Sequence, residues 1–320
     1  MNQTRLYRRL FVLSGFLLFA VVCFGFGWAN LFYHSANAAS VTWVGSTAGT
    51  WETGSNWSTG VVPTTDDLVT ISSSTASIVV TLSSGQIANF STLTIGGDAT
   101  YTAEFIFDGN INSGVDITVA TNGILTQQNR TTQTITGDFL LQDGGLFSHT
   151  TNTAAYSYKI HLNAKNITIE GGGVVNVDSK GFASVINTSG NGPGPGIEDA
   201  GDIDGSGGAH GGDGGDTNDG LAGGTAYCDV SDVATLGSSG GSPRTGIVSG
   251  AGGGLAILIA SDTATINGSI SAIAGDTFYN VGGYNGGGGG GGGIKLVGRT
   301  VAGSPTPAIN VSGGDGTYDG

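Results

Sequence analysis

The sequence predicts an all-β fold in which the chain coils into a parallel β-solenoid, or β-helix. Three observations predict it: apolar and polar residues alternate in short runs, glycine and asparagine turns separate the runs, and one order of runs repeats along the chain. Glycine supplies 61 of the 320 residues and only 11% are charged, which departs from ordinary globular usage. Recurrent Val, Ile, Leu and Phe still provide enough apolar surface for folding.

The strand predictions rest on period-two alternation, which places successive side chains on opposite faces of a sheet. Five runs show it most clearly: Leu68–Ile71, Leu93–Ile95, Phe105–Phe107, Ile117–Val119 and Ile167–Ile169. Nearly every run is followed by a turn signal, such as Asn122-Gly123. The helical period is absent from Val41 onward, so we expect strands throughout.

The first 38 residues predict an export signal. Three arginines precede an uncharged apolar run from Leu10 to about Phe32, and Ala36 and Ala38 fit a signal peptidase that cleaves after Ala38. The alternative is an uncleaved anchor, because about twenty apolar residues also span a bilayer. In both cases we expect the rest of the chain to be secreted or at the cell surface. Contact with a membrane is expected only through this segment, if it is uncleaved.

The remaining chain is acidic. Residues 39–320 keep all 24 acidic residues but only seven of the ten basic ones, so their formal net charge is −17 (7 − 24). This charge argues against nucleic acid as a partner and suits solubility, cation binding or repulsion from anionic surfaces. Cys228 is the one cysteine of this part. Without an intramolecular disulfide, stability must come from packing and backbone hydrogen bonds.

Three segments repeat the same order of strand, kink, strand, turn and strand. In the alignment that we predict, their first strands begin at Ile160, Ile257 and Ile294. An apolar residue follows seven positions later in each copy, and a further short strand comes after the turn. These are Ile167, Ala264 and Val301, then Val175–Val177, Ile270–Ala272 and Ile309–Val311.

The spacing between the copies divides the chain into four parts. We expect a signal at 1–38, the β-helix cap and first rungs at 39–186, a Gly/Asp-rich insertion at 187–254 and further glycine-rich β-repeats at 255–320. Two structures suit the glycine tracts. One is a flexible linker. The other is a set of extended three-fold helices packed side by side, because backbones without side chains can approach closely.

A pattern of aromatic and turn residues opens the predicted fold: Trp43-Val44-Gly45, Trp51, Asn56–Gly60 and Asp66–Ile71. It resembles the opening segment of large bacterial secreted β-helix proteins, including autotransporter-like passengers and adhesins. Residues 159–320 loosely resemble the glycine-rich repeats of bacterial extracellular surface proteins. The resemblance implies a right-handed parallel β-helix with a surface role, in line with the right-handed preference of parallel crossovers. It carries no catalytic residue. Because the chain stops inside a repeat, we expect an amino-terminal fragment of a longer protein.

The three tryptophans of this opening have two interpretations. Trp43, Trp51 and Trp57 could cover the open end of the first rung, which needs bulky groups. Alternatively, they could form an aromatic platform that stacks on sugar rings.

The acidic residues of the insertion suggest calcium as a cofactor. Hard oxygen ligands on flexible glycine turns suit this ion, and Gly211–Asp216 matches a single calcium-binding GGxGxD turn. The alternative is a solvated acidic loop. The candidate ligands are Asp202, Asp204, Asp213, Asp216 and Asp219.

We expect no catalysis by this chain. The three histidines of the mature part are scattered, and no basic residue stands in a recognisable cluster with carboxylates. The favoured function is a structural or adhesive surface protein that binds extracellular glycans or surface proteins. The alternatives are a polysaccharide lyase or hydrolase, whose carboxylates would converge on one groove, and an envelope component without a ligand.

Overall fold

A computed structural model of the chain describes residues 38–98, 100–111, 116–199, 204–229, 231–243, 247–277, 285–304 and 308–316. Apart from Ala38, the predicted export signal lies outside these residues, and Asp202 does as well. All the strands belong to the unit Ser40–Gly320. Within the described residues no helix has the length and apolar character needed to cross a membrane.

The first of two long sheets has eight parallel strands. The first two strands are two apart in the chain and all later neighbours are three apart, so that successive passes of the chain lay down successive strands. Its strands are β1 (Ser40–Thr42), β3 (Leu68–Ile71), β6 (Thr92–Ile95), β9 (Asp116–Val119), β12 (Asp138–Leu141), β15 (Asn166–Ile169), β18 (Thr263–Ile266) and β21 (Thr300–Gly303).

The second long sheet has the same arrangement and also eight strands. They are β2 (Ala48–Thr50), β4 (Ile78–Leu82), β7 (Ala103–Phe107), β10 (Gly123–Gln127), β13 (Leu146–His149), β16 (Val174–Asn176), β19 (Ser269–Ser271) and β22 (Ala308–Asn310).

Two smaller parallel sheets complete the described strands. The third sheet consists of β11 (Gln133–Thr134), β14 (Ile160–Ala164), β17 (Leu255–Ala260) and β20 (Gly293–Val297), and the last pairs β5 (Ile87–Ala88) with β8 (Asn110–Ile111). The one described helix is a 3-10 turn at Gly54–Asn56. The fold is therefore all-β with long parallel sheets, as predicted, and is consistent with a β-solenoid.

The core lies where the inward faces of the strands meet. In β4 and β7 every second residue is buried, which is the pattern that the alternation predicts. Aromatic rings fill much of this space: the rings of Phe139 and Phe147 lie 5.3 Å apart and both side chains are buried. Each buried side chain of this size contributes about 1.5–3 kcal/mol relative to an exposed one.

The repeat predicted from the sequence is correct in two strands and shifted by one residue in the third. Ile167, Ala264 and Val301 align in the first long sheet, and Val175, Ile270 and Ile309 align in the second. In the third sheet, however, Ile160 and Ile294 both pair with Ala256, so the predicted alignment with Ile257 is wrong.

The physical reason for this shift is a second apolar layer over β17. Leu255 and Ile257 pack against Phe182 and Leu236 in a small cluster outside the main core. Ala256 and Leu258 of the same strand are buried as well. Because both faces of β17 are covered, apolar character does not tell which residues point inward.

Glycine-rich segments form this second layer, and their backbone hydrogen bonds repeat every third residue. In the segment 237–242, residues three positions apart donate to the same neighbouring segment. Gly237 and Gly240 bond to Gly253 and Gly250, Ser238 and Gly241 to Ala209 and Ser206, and Ser239 and Ser242 to Asn191 and Thr188. Three residues per turn is the period of the polyproline II helix.

The second glycine tract joins the same bundle. The amides of Gly287 and Gly290 donate to the carbonyls of Gly241 and Ser238. The segments approach so closely that a Cβ on Gly240 would lie 2.1 Å from the carbonyl oxygen of Gly287. This arrangement agrees with the packed three-fold helices that the sequence suggests, and it differs from a flexible linker.

Candidate functional site

The three tryptophans at the start of the fold are buried together. Trp51 and Trp57 meet edge to face with ring centroids 4.8 Å apart, and Trp43 meets Trp57 in the same way at 5.3 Å. The indole N–H of Trp57 donates to the carbonyl of Trp51 over 2.8 Å. Trp51 also contacts Phe105 of the core.

This burial decides between the two interpretations of the tryptophans. Their exposed fractions are 6% for Trp43, 0% for Trp51 and 1% for Trp57, so no ring offers a face to a sugar. The stacking hypothesis is therefore contradicted. The rings instead cover the end of the core beside β1 and β2, the first strands of the two long sheets.

Three of the predicted calcium ligands, Asp204, Asp213 and Asp216, are engaged in hydrogen bonds within the protein. Asp204 is buried, and its carboxylate accepts a hydrogen bond of 2.7 Å from the amide of Asn285. Asp213 accepts from the backbone N–H of Ala226, and Asp216 accepts from that of Gly223. These carboxylates hold loops of the glycine-rich bundle together.

The carboxylates of the described segments do not form a metal site. Across those segments, no three His, Cys, Asp or Glu side chains lie close enough together to hold an ion. Asp219 is exposed, and Asp202 lies outside the described residues. The described part of the predicted calcium set therefore does not converge.

A groove beside the third sheet brings together basic and aromatic residues that the sequence alone does not connect. It has a volume of about 650 Å³, within the usual range of ligand sites. Two loops form it, one after β10 and one before β14. The main side chains are those of Asp108, Gln128, Arg130, Tyr156, Tyr158 and Lys159, and we call this set the basic groove.

Arg130 and Tyr156 form one wall of the basic groove. The guanidinium carbon of Arg130 lies 5.1 Å from the centre of the Tyr156 ring, in a cation-π contact. The Nη1 atom of Arg130 donates to the carbonyl of Tyr156 over 2.9 Å. The hydroxyl of Tyr156 donates to the carbonyl of Ala234 over 3.2 Å. This wall therefore joins the parallel β-sheets to the glycine-rich layer.

The charge of the groove is partly desolvated. Burial lowers the pKa of Lys159, and the positive charge of Arg130 lowers it further. Burial also raises the pKa of Tyr156 to about 12, so its hydroxyl stays neutral. Among the described residues neither Arg130 nor Lys159 makes a salt bridge, whereas Lys295 pairs with Asp232 at 2.6 Å. The groove therefore offers two cations that no described carboxylate pairs with in a salt bridge.

Two side-chain amides, one buried and one half-buried, hold the loops of the groove in place. Asn152 is fully buried; its oxygen accepts from the N–H groups of Ser157 and Tyr158, and its nitrogen donates to the carbonyls of Tyr158 and Lys180. Asn129 holds the other loop in the same way, because its oxygen accepts from the backbone N–H of Thr131. Such bonding fixes the site before a ligand arrives.

The pairing of strands in the third sheet creates this groove. Thr132 hydrogen bonds to His161, and Asn163 to Thr134, each across 29 positions in the chain. Arg130 and Lys159 are also 29 positions apart, and both line the groove. The sequence alone did not connect these two basic residues, because their proximity depends on how the strands pair.

The histidines occupy three separate environments. His149 is fully buried; its Nδ1 lies 2.8 Å from the carbonyl of Thr150, and its Nε2 accepts from the N–H of Leu255 over 3.2 Å. Burial lowers its pKa to about 4. His161 lies beside the basic groove, and burial and Lys159 lower its pKa. Burial also lowers the pKa of His210, which contacts Thr235.

Comparisons with known proteins identify no relative. No family model, no curated protein and no solved structure matches the chain.

Proposed function

We propose that this chain is a secreted or cell-surface protein with a structural and adhesive role, built as a right-handed parallel β-helix. The observation that carries the proposal is the basic groove. It is preformed, it is lined mainly by basic, aromatic and amide side chains, and it lies on a long stack of parallel strands. The stack of strands gives the protein length, and the groove provides a place for an extracellular glycan or surface protein to bind.

Three further features support the proposal. The first 38 residues have the composition of an export signal. The chain contains 61 glycines, many of which pack in a bundle that no larger residue would allow. The right hand of the helix follows from the strong preference of parallel crossovers. Resemblance to bacterial β-helix surface proteins is in line with all three.

A carbohydrate-active enzyme is the second candidate, because a groove on a parallel β-fold could also hold a polysaccharide for cleavage. Lys159 gives this candidate a specific basis, since its lowered pKa leaves more of the amine unprotonated, and so available as a general base, than in an exposed lysine. The lining of the basic groove contains one carboxylate, Asp108. A hydrolase of the usual kind needs two.

One experiment separates these functions. The purified protein is applied to an array of neutral and acidic glycans, and the same glycans are incubated with it while reducing ends are measured. Binding without release of reducing ends supports the adhesive function. Release of reducing ends would support the enzyme, and the absence of both would leave a structural component without a glycan ligand.

A further inference from the structure

The basic groove is unusual because of where its charge lies. The chain as a whole has a formal net charge of −14, yet the groove is lined by two cations and one carboxylate, Asp108. Arg130 is exposed and Lys159 is half-buried, and they are close enough for Arg130 to lower the pKa of Lys159. Two like charges held close together repel each other, and a bound anion would relieve this repulsion.

The donors of the groove suit an oxygen anion. A guanidinium has five N–H donors, and the described structure uses one of Arg130's on the carbonyl of Tyr156. The remaining donors can bind a carboxylate or sulfate in a fork. Lys159 adds an ammonium group, which binds as a point charge. Arg130 and Lys159 therefore both recognise negative charge. Because they lie on different loops, their contacts with a ligand are made at separate positions.

The remainder of the lining suits a saccharide. Tyr156 and Tyr158 are half-buried. Each places an apolar ring in a groove whose other groups are polar. Gln128 adds an amide that can hydrogen bond to sugar hydroxyls. The net negative charge of the chain disfavours a long polyanion such as polyphosphate, whereas a short acidic saccharide meets mainly the groove itself.

We propose that the basic groove binds an acidic saccharide, with Arg130 and Lys159 on its carboxylate or sulfate groups and the two tyrosines against its rings. This inference rests on the proposed glycan-binding function and names the site and the ligand class. The groove, its two cations and its hydrogen-bonded loops are the observations that carry it.

The test measures binding of three probes by calorimetry: tetragalacturonate, which carries carboxylates, a heparin tetrasaccharide, which carries sulfates, and neutral cellotetraose. We expect an acidic probe to bind at least about tenfold more tightly than cellotetraose, since hydrogen bonds to charged groups are stronger than those between neutral groups. The affinity should fall as salt is raised. Whichever acidic probe binds more tightly identifies the preferred anionic group.

Matched variants then locate the site. Arg130→Gln and Lys159→Gln should each lower the affinity for the acidic probe by about tenfold or more. Arg299→Gln and Lys165→Gln remove the same charges at exposed positions outside the groove and should change the affinity less than twofold. Circular dichroism and thermal melting check that each variant is folded. Arg130→Lys, which keeps the charge without the fork, should lie between the wild type and Arg130→Gln.

The outcomes distinguish the two proposals. If an acidic probe binds and the groove variants bind as the wild type does, the groove assignment is overturned while the glycan-binding function stands. If cellotetraose binds as tightly as the acidic probes or more tightly, the acidic ligand class is overturned as well, while the proposed glycan-binding function stands. If no glycan of any class binds the wild-type protein, both the proposed glycan-binding function and this site are refuted.

Discussion

Acid should destabilise this protein through His149. Its ring lies in the core between the carbonyl of Thr150 and the N–H of Leu255, the first residue of β17. A ring that donates from Nδ1 and accepts at Nε2 is neutral. Protonation would turn the acceptor into a donor that faces another donor. The contact joins β13 to the point at which the chain returns from the glycine-rich bundle.

The size of the effect follows from the pKa. The folded-state pKa of about 4 lies below the ordinary 6.5, so the unfolded chain binds the proton more readily. The stabilising contribution is therefore fully present above pH 6.5 and is lost as the pH falls towards 4. A shift of this size corresponds to roughly 3 kcal/mol of unfolding free energy, at about 1.4 kcal/mol per unit.

Urea unfolding at pH 7 and pH 4 measures this contribution. We expect the free energy of unfolding to fall by roughly 3 kcal/mol more in the wild type than in His149→Gln, which cannot take up the proton. His161→Gln serves as the control, since it leaves the core ring in place and should keep most of the acid sensitivity. An equal loss of stability in the wild type and His149→Gln would refute the reasoning.

Three further predictions concern packing and the groove. Gly240→Ala should lower stability by about 1–3 kcal/mol in thermal melts, because its Cβ would meet the carbonyl of Gly287, whereas Gly211→Ala, with nothing within 4 Å, should change it little. Trp51→Ala should cost about 3–5 kcal/mol without loss of glycan affinity in the folded fraction, as the ring is buried at the end of the core. Asn152→Ala should weaken binding of the acidic probe, although Asn152 lies beneath the loop, because the backbone N–H of Tyr158 loses its hydrogen-bond acceptor. Unchanged affinity in a folded variant would count against this positioning role.

The strands were predictable from the sequence because their cause is local. Leu68–Ile71 is a strand with the predicted bounds, and Phe105–Phe107 lies within β7. The turn at Asn122-Gly123 was predictable for the same reason, since Asn122 has a φ of 59° that asparagine tolerates better than most residues. Period-two alternation and turn chemistry both act within a few residues.

The groove and the register of β17 depend on contacts between distant parts of the chain. Phe182 and Leu236 cover β17, although neither is near it in sequence. Arg130 and Lys159 meet because one pass of the chain separates them, and that length is known only after the strands are paired. The tryptophans show the same limit, because their spacing suits either a cap or a platform and burial alone distinguishes these.

The bundle of glycine segments has a mechanical consequence. A strand in a sheet is held by two neighbours in one plane, so pulling on one edge can open the bonds in sequence. The segment 237–242 donates to three neighbouring segments and accepts from a fourth, the glycine tract 287–290, so releasing one leaves the others in place. Cys228 is the only cysteine in the described part of the chain and is free. Under tension, therefore, the load is shared by hydrogen bonds spread around each segment rather than by a covalent cross-link.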